Sequence, residues 1–372
     1  MRSSYCARGG AWWWLAVAAV AAVLLAAGRG AASQVHPGQC VVLAVEGGGD
    51  KGAFEAGAIT QLTEQLGPLA AYDVLTGVSV GGITAFALGV YPVEDFAEQN
   101  TVNMEVWNKL GQIFGQIMQP WPWGVAQGLL EEQGLYSFHE AEYIRTYETR
   151  FPALRRPILI GANNLVTGGY ELFNSTQLDF EGFAQAVQAS ASIPFVFPPT
   201  RIGDKFFIDG GSTYNMLPVQ GVLQCEAMGF ALEQIAVDVL MTHPPQFAVA
   251  PLAPHSNIFR ILHRLQEIRA FYRTVFEIKH SVWEYPRVRW RYLVPPAHEL
   301  DSSFLPINFD QHFLDGEYHH GLAQAQASLD LGEFGSFQKY LNLEDLDQDS
   351  HQTGLGAARG RAAQLRERVV FV

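Results

Sequence analysis

Positive charge is scarce in this chain. Its 372 residues hold 24 Lys and Arg against 37 Asp and Glu, a formal net charge of −13. Such a surface repels nucleic acid, so no nucleic-acid partner is expected. Cysteine is scarcer still, at 3 residues, and no Cys/His cluster has metal-ligand spacing; no metal site is expected. No internal repeat is visible, which argues against a solenoid. Beyond residue 28 no apolar stretch is long enough to span a membrane. What the chain does have is apolar material, 48% of its residues against 16% charged, enough for one large core.

The N-terminus stands apart. Arg2 and Arg8 precede an uncharged run over residues 9–28, with Trp12-Trp13-Trp14 and Leu24-Leu25 inside it, and then Gly28, Gly30, Ala31 and Ala32. Residues 1–32 read as a secretory signal peptide cleaved near Ala32, or as an uncleaved anchor built on residues 9–28. A secreted or lumenal location follows. Cleavage removes Cys6 and leaves Cys40 and Cys225, which in an oxidising compartment can form a disulfide or remain two buried thiols. The sequon Asn174-Ser175-Thr176 makes Asn174 a candidate glycosylation site there.

Strands and helices alternate along the rest. Apolar runs at 41–46, 74–76, 158–163, 170–174, 205–208 and 235–241 predict strands. Helical spacing is found at 53–66 (Phe54, Ala58, Leu62, Leu66), 80–90, 183–191 and 219–228. This alternation argues for an α/β fold with a mostly parallel sheet covered on both faces. Two segments depart from it. Residues 107–130 are aromatic (Trp107, Phe114, Trp121, Trp123) and read either as a lid or lipid-contact surface or as rings packed in the core. Residues 257–287 form a long amphipathic stretch whose stripe (Ile258, Ile261, Leu262, Leu265, Ile268, Phe271, Tyr272) is expected in the core.

Three motifs carry chemistry, each weak alone. Gly77-Val78-Ser79-Val80-Gly81 lies between a predicted strand and helix, the setting of a nucleophile elbow; glycines two residues either side of Ser79 relieve the clash of so sharp a turn. Gly47-Gly48-Gly49-Asp50-Lys51-Gly52 links the first strand to the first helix, where successive backbone N–H groups can face an anion. A dinucleotide fingerprint would need an acid about 20 residues on, and a P-loop would need Gly-Lys-Ser/Thr; neither is present. An oxyanion hole fits better, with Gly48 and Gly49 donating and Lys51 adding positive charge. Asp209-Gly210-Gly211 puts a carboxylate at a strand end, where it can act as base for Ser79.

Together these residues resemble the patatin-like phospholipases. The resemblance extends to the segments 161–168 (Gly161-Ala162-Asn163-Asn164), 189–199 (Ala189-Ser190-Ala191-Ser192, then Phe197-Pro198-Pro199) and 207–218, and weakens after residue 222. It implies a three-layer α/β/α fold with residues 41–222 as the catalytic core; residues 223–342 are read as the C-terminal part of the same domain, and residues 343–372, with Asp345, Asp347 and Asp349 ahead of Gly354, Gly356 and Gly360, as a loosely ordered tail. It also implies a lipid acyl hydrolase with a Ser79–Asp209 dyad, an oxyanion hole at residues 47–52, no metal and no cofactor. The partner would be a lipid substrate at a membrane or micelle surface. Glu46 stands where the family often has Asp, Lys51 where it often has Arg, and Met216 interrupts the usual run after the dyad Asp. Two alternatives stay open: an α/β-hydrolase-type esterase using Ser79, Asp209 and His243, and a secreted lipid-binding or storage protein without activity.

Overall fold

The computed structural model of the chain describes residues 35–98, 153–194, 196–247, 258–300 and 310–343, together with residues 105, 107, 108, 119, 120, 130, 131 and 308. The expected signal or anchor, and the tail beyond residue 343, lie outside the described residues. So does the aromatic segment 107–130, except for its ends and Gln119–Pro120, which pairs antiparallel with Leu130–Glu131. No helix among the described residues is long and apolar enough to cross a membrane.

Eight strands form one sheet: β1 (Cys40–Val45), β2 (Val74–Gly77), β3 (Ile158–Asn164), β4 (Tyr170–Asn174), β5 (Thr200–Ile202), β6 (Lys205–Asp209), β7 (Ile235–Leu240) and β8 (Arg289–Val294). Their order is β8-β7-β1-β2-β3-β6-β5, with β4 also paired to β3. The pairs β8/β7, β7/β1, β1/β2 and β2/β3 are parallel, and β4, β5 and β6 join antiparallel. The helices are α1 (Gly52–Leu66), α2 (Val80–Gly89), α3 (Phe180–Ala191), α4 (Pro218–Ala227), α5 (Ile258–Glu284), α6 (Gln311–Asp330) and α7 (Gly335–Leu341).

A strand buried on both faces needs apolar residues at every position, and every residue of β1 is buried. Val41, Leu43 and Val45 pack with residues of α1, α2, α3 and α6; Cys40, Val42 and Ala44 pack with α4, α5 and α7. The result is a three-layer α/β/α arrangement around a mostly parallel sheet. Cys40 and Cys225 form a disulfide from β1 to α4, with Cα atoms 6.0 Å apart and 185 residues between them in sequence. Closing a loop of that length removes entropy from the unfolded chain worth about 5 kcal/mol in the chain-entropy account. Strands β7 and β8 place residues beyond 222 in the same sheet.

One topological detail positions the chemistry. Strands β2 and β6 lie on the same edge of β3, running toward each other, while β4 takes the other edge. Gly77 of β2 pairs with Ile160, and Asp209 of β6 pairs with Ala162. The C-terminal ends of β2 and β6 therefore meet over the middle of β3.

One expectation needs correction. In α5, Ile261, Leu265 and Tyr272 are exposed rather than core. Phe271 of the stripe is buried as expected, and the helix continues that buried face through Thr274, Ile278 and Val282, so the two faces divide within the stripe. Of the lid and core readings of 107–130, Trp107 follows the core one: it is buried against Gly52, where a Cβ would lie 1.9 Å from its ring.

Candidate active site

Ser79 follows β2 by two residues and caps the N-terminus of α2. Its backbone has φ 54° and ψ −123°, a left-handed conformation that a side-chain-bearing residue adopts at a cost of about 1–3 kcal/mol. The flanking glycines make this turn possible. A Cβ on Gly77 would lie 2.1 Å from the Gly81 carbonyl oxygen, and one on Gly81 would lie 2.6 Å from the Val45 carbonyl oxygen. The Ser79 N–H donates to Ser190 Oγ at 2.9 Å, and Ser190 Oγ donates onward to the Gly161 carbonyl at 2.7 Å. Val80 and Gly81 open α2, where the first N–H groups have no intrahelical acceptor.

The Ser79 hydroxyl donates directly to Asp209 Oδ2 at 2.6 Å. The other carboxylate oxygen, Oδ1, accepts the Gly211 N–H at 2.7 Å. Asn163 steadies the strand end by donating from Nδ2 to the Asp209 carbonyl at 2.7 Å. Gly210 has no room for a side chain, since a Cβ would meet the Gly161 carbonyl oxygen at 2.2 Å. Burial pushes the Asp209 carboxyl up to about 6, against the hydrogen bonds from Ser79 and Gly211 that pull it down.

The glycine turn lies alongside. A Cβ on Gly47 would sit 3.0 Å from Ser79 Cβ, and one on Gly48 would sit 2.7 Å from the Thr242 side chain; Gly49 has φ 67°. The Gly47 N–H donates to the Asn215 carbonyl at 3.2 Å. Among the described residues no hydrogen bond takes up the N–H of Gly48 or Gly49.

A family model described as Patatin-like phospholipase matches residues 43–223, the stretch that holds all three motifs. Those residues belong to the patatin-like phospholipase family. They make the chain a lipid acyl hydrolase by family. Among solved structures, VipD from Legionella pneumophila is similar over 80% of this chain and 67% of its own, at 12% identity and a TM-score of 0.39. The heterodimeric ExoU-SpcU complex from the type III secretion system of Pseudomonas aeruginosa is similar over 89% of this chain and 60% of that one, at 18% identity and a TM-score of 0.27. The chain thus spans about two thirds or less of the length of these neighbours, and likeness at this level says nothing of substrate or partner. No curated protein matches the sequence.

Within the patatin-like domain, the turn at residues 47–52 divides by role. Gly48 and Gly49 keep free donors; Gly47 does not. Asp50 is buried and accepts the Asn308 N–H at Oδ2, 2.7 Å away, so its charge faces the protein. Gly52 is a packing position under Trp107, and Lys51 is buried. Val78 is buried and packs where a Gly210 side chain would otherwise stand. Among the described residues no hydrogen bond joins His243 to Ser79 or Asp209; its Nδ1 lies 2.9 Å from Glu46 Oε1. Asn174 is half-buried, with Nδ2 donating to Gln224 Oε1 at 2.8 Å; a glycan there would displace that bond. Among the described residues no group of three or more His, Cys, Asp or Glu could hold a metal ion.

Sequence reasoning missed the shell behind the glycines. Glu46 is fully buried and accepts from the Thr242 N–H (2.8 Å), Asn215 Nδ2 (3.1 Å) and Thr274 Oγ1 (2.6 Å), besides meeting His243. Burial alone would raise its carboxyl; the His243 ring and these hydrogen bonds outweigh it and hold it below the usual range. Glu277 on α5 accepts the Asn215 N–H at 3.3 Å, and burial, reinforced by the Glu46 charge, pushes it up to about 8. The partners of Glu46 are 169 to 228 residues away in sequence, so no local pattern announces them.

Proposed function

We propose that the protein hydrolyses acyl esters of phospholipids or related glycerolipids through a Ser79–Asp209 dyad and an acyl-enzyme. The observation that carries this is the 2.6 Å hydrogen bond from Ser79 Oγ to a buried carboxylate that has no cation on it among the described residues. Asp209 takes the hydroxyl proton as Oγ attacks the ester carbonyl carbon. The carbonyl oxygen becomes an oxyanion facing the Gly48 and Gly49 N–H groups at the head of α1. Collapse breaks the acyl C–O bond, and Asp209 returns the proton to the leaving alkoxide. Water then repeats the sequence on the acyl-Ser79 ester, giving the free fatty acid and restoring the hydroxyl. The buried site supports a base whose proton affinity lies near the operating pH.

A fluorophosphonate probe tests this directly. The purified protein is expected to label at Ser79, to lose labelling as Ser79→Ala, and to release fatty acid from phospholipid vesicles. Absence of labelling in the native protein would favour a binding or storage role. We also infer entry into the secretory pathway, supported by the Arg2/Arg8 apolar run and by a Cys40–Cys225 disulfide suited to an oxidising compartment. N-terminal sequencing of the native protein should find a start near residue 33, and a cytosolic protein retaining Met1 would contradict it.

A further inference from the structure

A turn of three consecutive glycines has more backbone freedom than any other sequence, yet an oxyanion hole works only when its donors are aimed before the charge appears. Something must therefore hold this turn. The Gly47 carbonyl accepts two hydrogen bonds, from Asn215 Nδ2 at 2.8 Å and from Thr242 Oγ1 at 2.8 Å. Both lone pairs of that oxygen are used. A trans peptide carries its C=O and N–H on opposite sides, and the described residues contain no cis bond. Fixing the Gly47 oxygen on Asn215 and Thr242 consequently turns the Gly48 N–H away from them.

The two donors are themselves held. Glu46 Oε2 accepts the Thr242 N–H and Glu46 Oε1 accepts Asn215 Nδ2, while Thr274 and His243 steady the carboxylate from α5 and from the end of β7. Asn215 grips Gly47 a second time by accepting its N–H through the main-chain carbonyl. Asn215 also touches the other motif, since a Cβ on Gly211 would lie 2.5 Å from its Oδ1.

We propose that Thr242 and Asn215, aligned by Glu46, are positioning residues that lock the peptide between Gly47 and Gly48 so that the Gly48 N–H is presented to the oxyanion. The proposal rests on the hydrolase reading above. It makes the threonine hydroxyl, rather than the threonine's bulk, a determinant of turnover.

Thr242→Val removes that hydroxyl at nearly constant shape, and Thr242→Ser keeps it. Active sites are counted by fluorophosphonate titration, and turnover of a soluble p-nitrophenyl ester is expressed per titrated site. Thr242→Val should lower kcat per site about tenfold with KM within about twofold, the pattern of an interaction made in the transition state. Thr242→Ser should stay within about threefold of the parent. Inhibition by a trifluoromethyl ketone, which forms a tetrahedral oxyanion, should weaken in Thr242→Val by the same factor as kcat/KM. Should Thr242→Val not fold, Asn215→Asp, which exchanges the amide donor for an acceptor at equal size, carries the same expectation. Equal turnover per site in the Val variant and the parent, or equal losses in the Val and Ser variants, would overturn the proposal while leaving the dyad intact. A native protein that neither labels nor turns over ester would remove the hydrolase reading and this proposal with it.

Discussion

Asp209 and Asp238 are both buried carboxylates of the same sheet, at the end of β6 and inside β7, and their surroundings are opposite. Asp238 accepts Arg291 Nε at 3.0 Å, is bridged again by Arg291 Nη2, and takes the Tyr72 hydroxyl at 3.0 Å and the Tyr292 N–H at 3.2 Å. Burial by itself would lower the Arg291 guanidinium, but Asp238 overrides it and holds it above its usual value. Among the described residues Asp209 takes one hydroxyl and one N–H on its carboxylate, and its carboxyl rises. Full pairing makes a carboxylate inert; withholding the cation leaves it with proton affinity. Under the proposed dyad, the difference separates a structural buried acid from a reactive one, though both are Asp on apolar strands.

The comparison can be broken most severely at Asp209. Asp209→Asn and Ser79→Ala should each lower kcat/KM for a soluble ester by about 10⁴-fold, and the double variant should fall little further, because the pair acts as a unit. Asp209→Asn should leave the melting temperature no lower than the parent's, since it removes a poorly solvated charge. Arg291→Met should do the reverse. Stranding Asp238 without its cation should cost about 3–5 kcal/mol in denaturant unfolding, with turnover per folded molecule retained. Adding Asp238→Leu to that variant should recover part of the loss.

Titration sharpens the contrast more gently. The Asp209 carboxyl stands above its ordinary 3.8, at about 6. Only its ionised form accepts the serine proton, so activity is present above that value and lost as pH falls through it. The kcat/KM profile should drop about tenfold per unit below pH about 6. An acid limb near 4 would mean that the base is more solvated than the structure has it. The smallest effect belongs to His243→Ala, which loosens Glu46 without touching the dyad and should cost less than about tenfold. Loss as deep as in Ser79→Ala would restore the triad.

Much of this site is legible in the chain because its constraints are steric and local. Gly77, Gly81, Gly47 and Gly210 are glycines for want of space, and a space of that kind leaves a residue-type mark at fixed spacing. The alternation of strands and helices up to α4 is legible for a related reason, since parallel strands buried on both faces must be apolar throughout. Glu46, Asn215, Thr242 and Thr274 leave no such mark. Each is a common polar residue whose meaning lies in a partner far along the chain. Ile261, Leu265 and Tyr272 of α5 are exposed although they share helical spacing with buried Phe271, because spacing shows that a face is apolar and only contacts decide how much of it is buried. Arg156 belongs with Glu46: it donates to the carbonyls of Tyr91, Tyr72 and Leu88, and nothing around it in sequence says so.

The bond between Cys40 and Cys225 makes a covalent ring out of the stretch that holds Ser79, the glycine turn and Asp209. One cut in the exposed turn between β3 and β4, where Val166 is 63% exposed, opens that ring without releasing anything. The products are two peptides, one carrying Ser79 and the other Asp209, still tethered through sulfur and still paired across β3. Such a nicked molecule should migrate as one band without reductant and as two with it. Its ester turnover should persist until the tether is reduced, at which point the two halves of one active site become separate molecules.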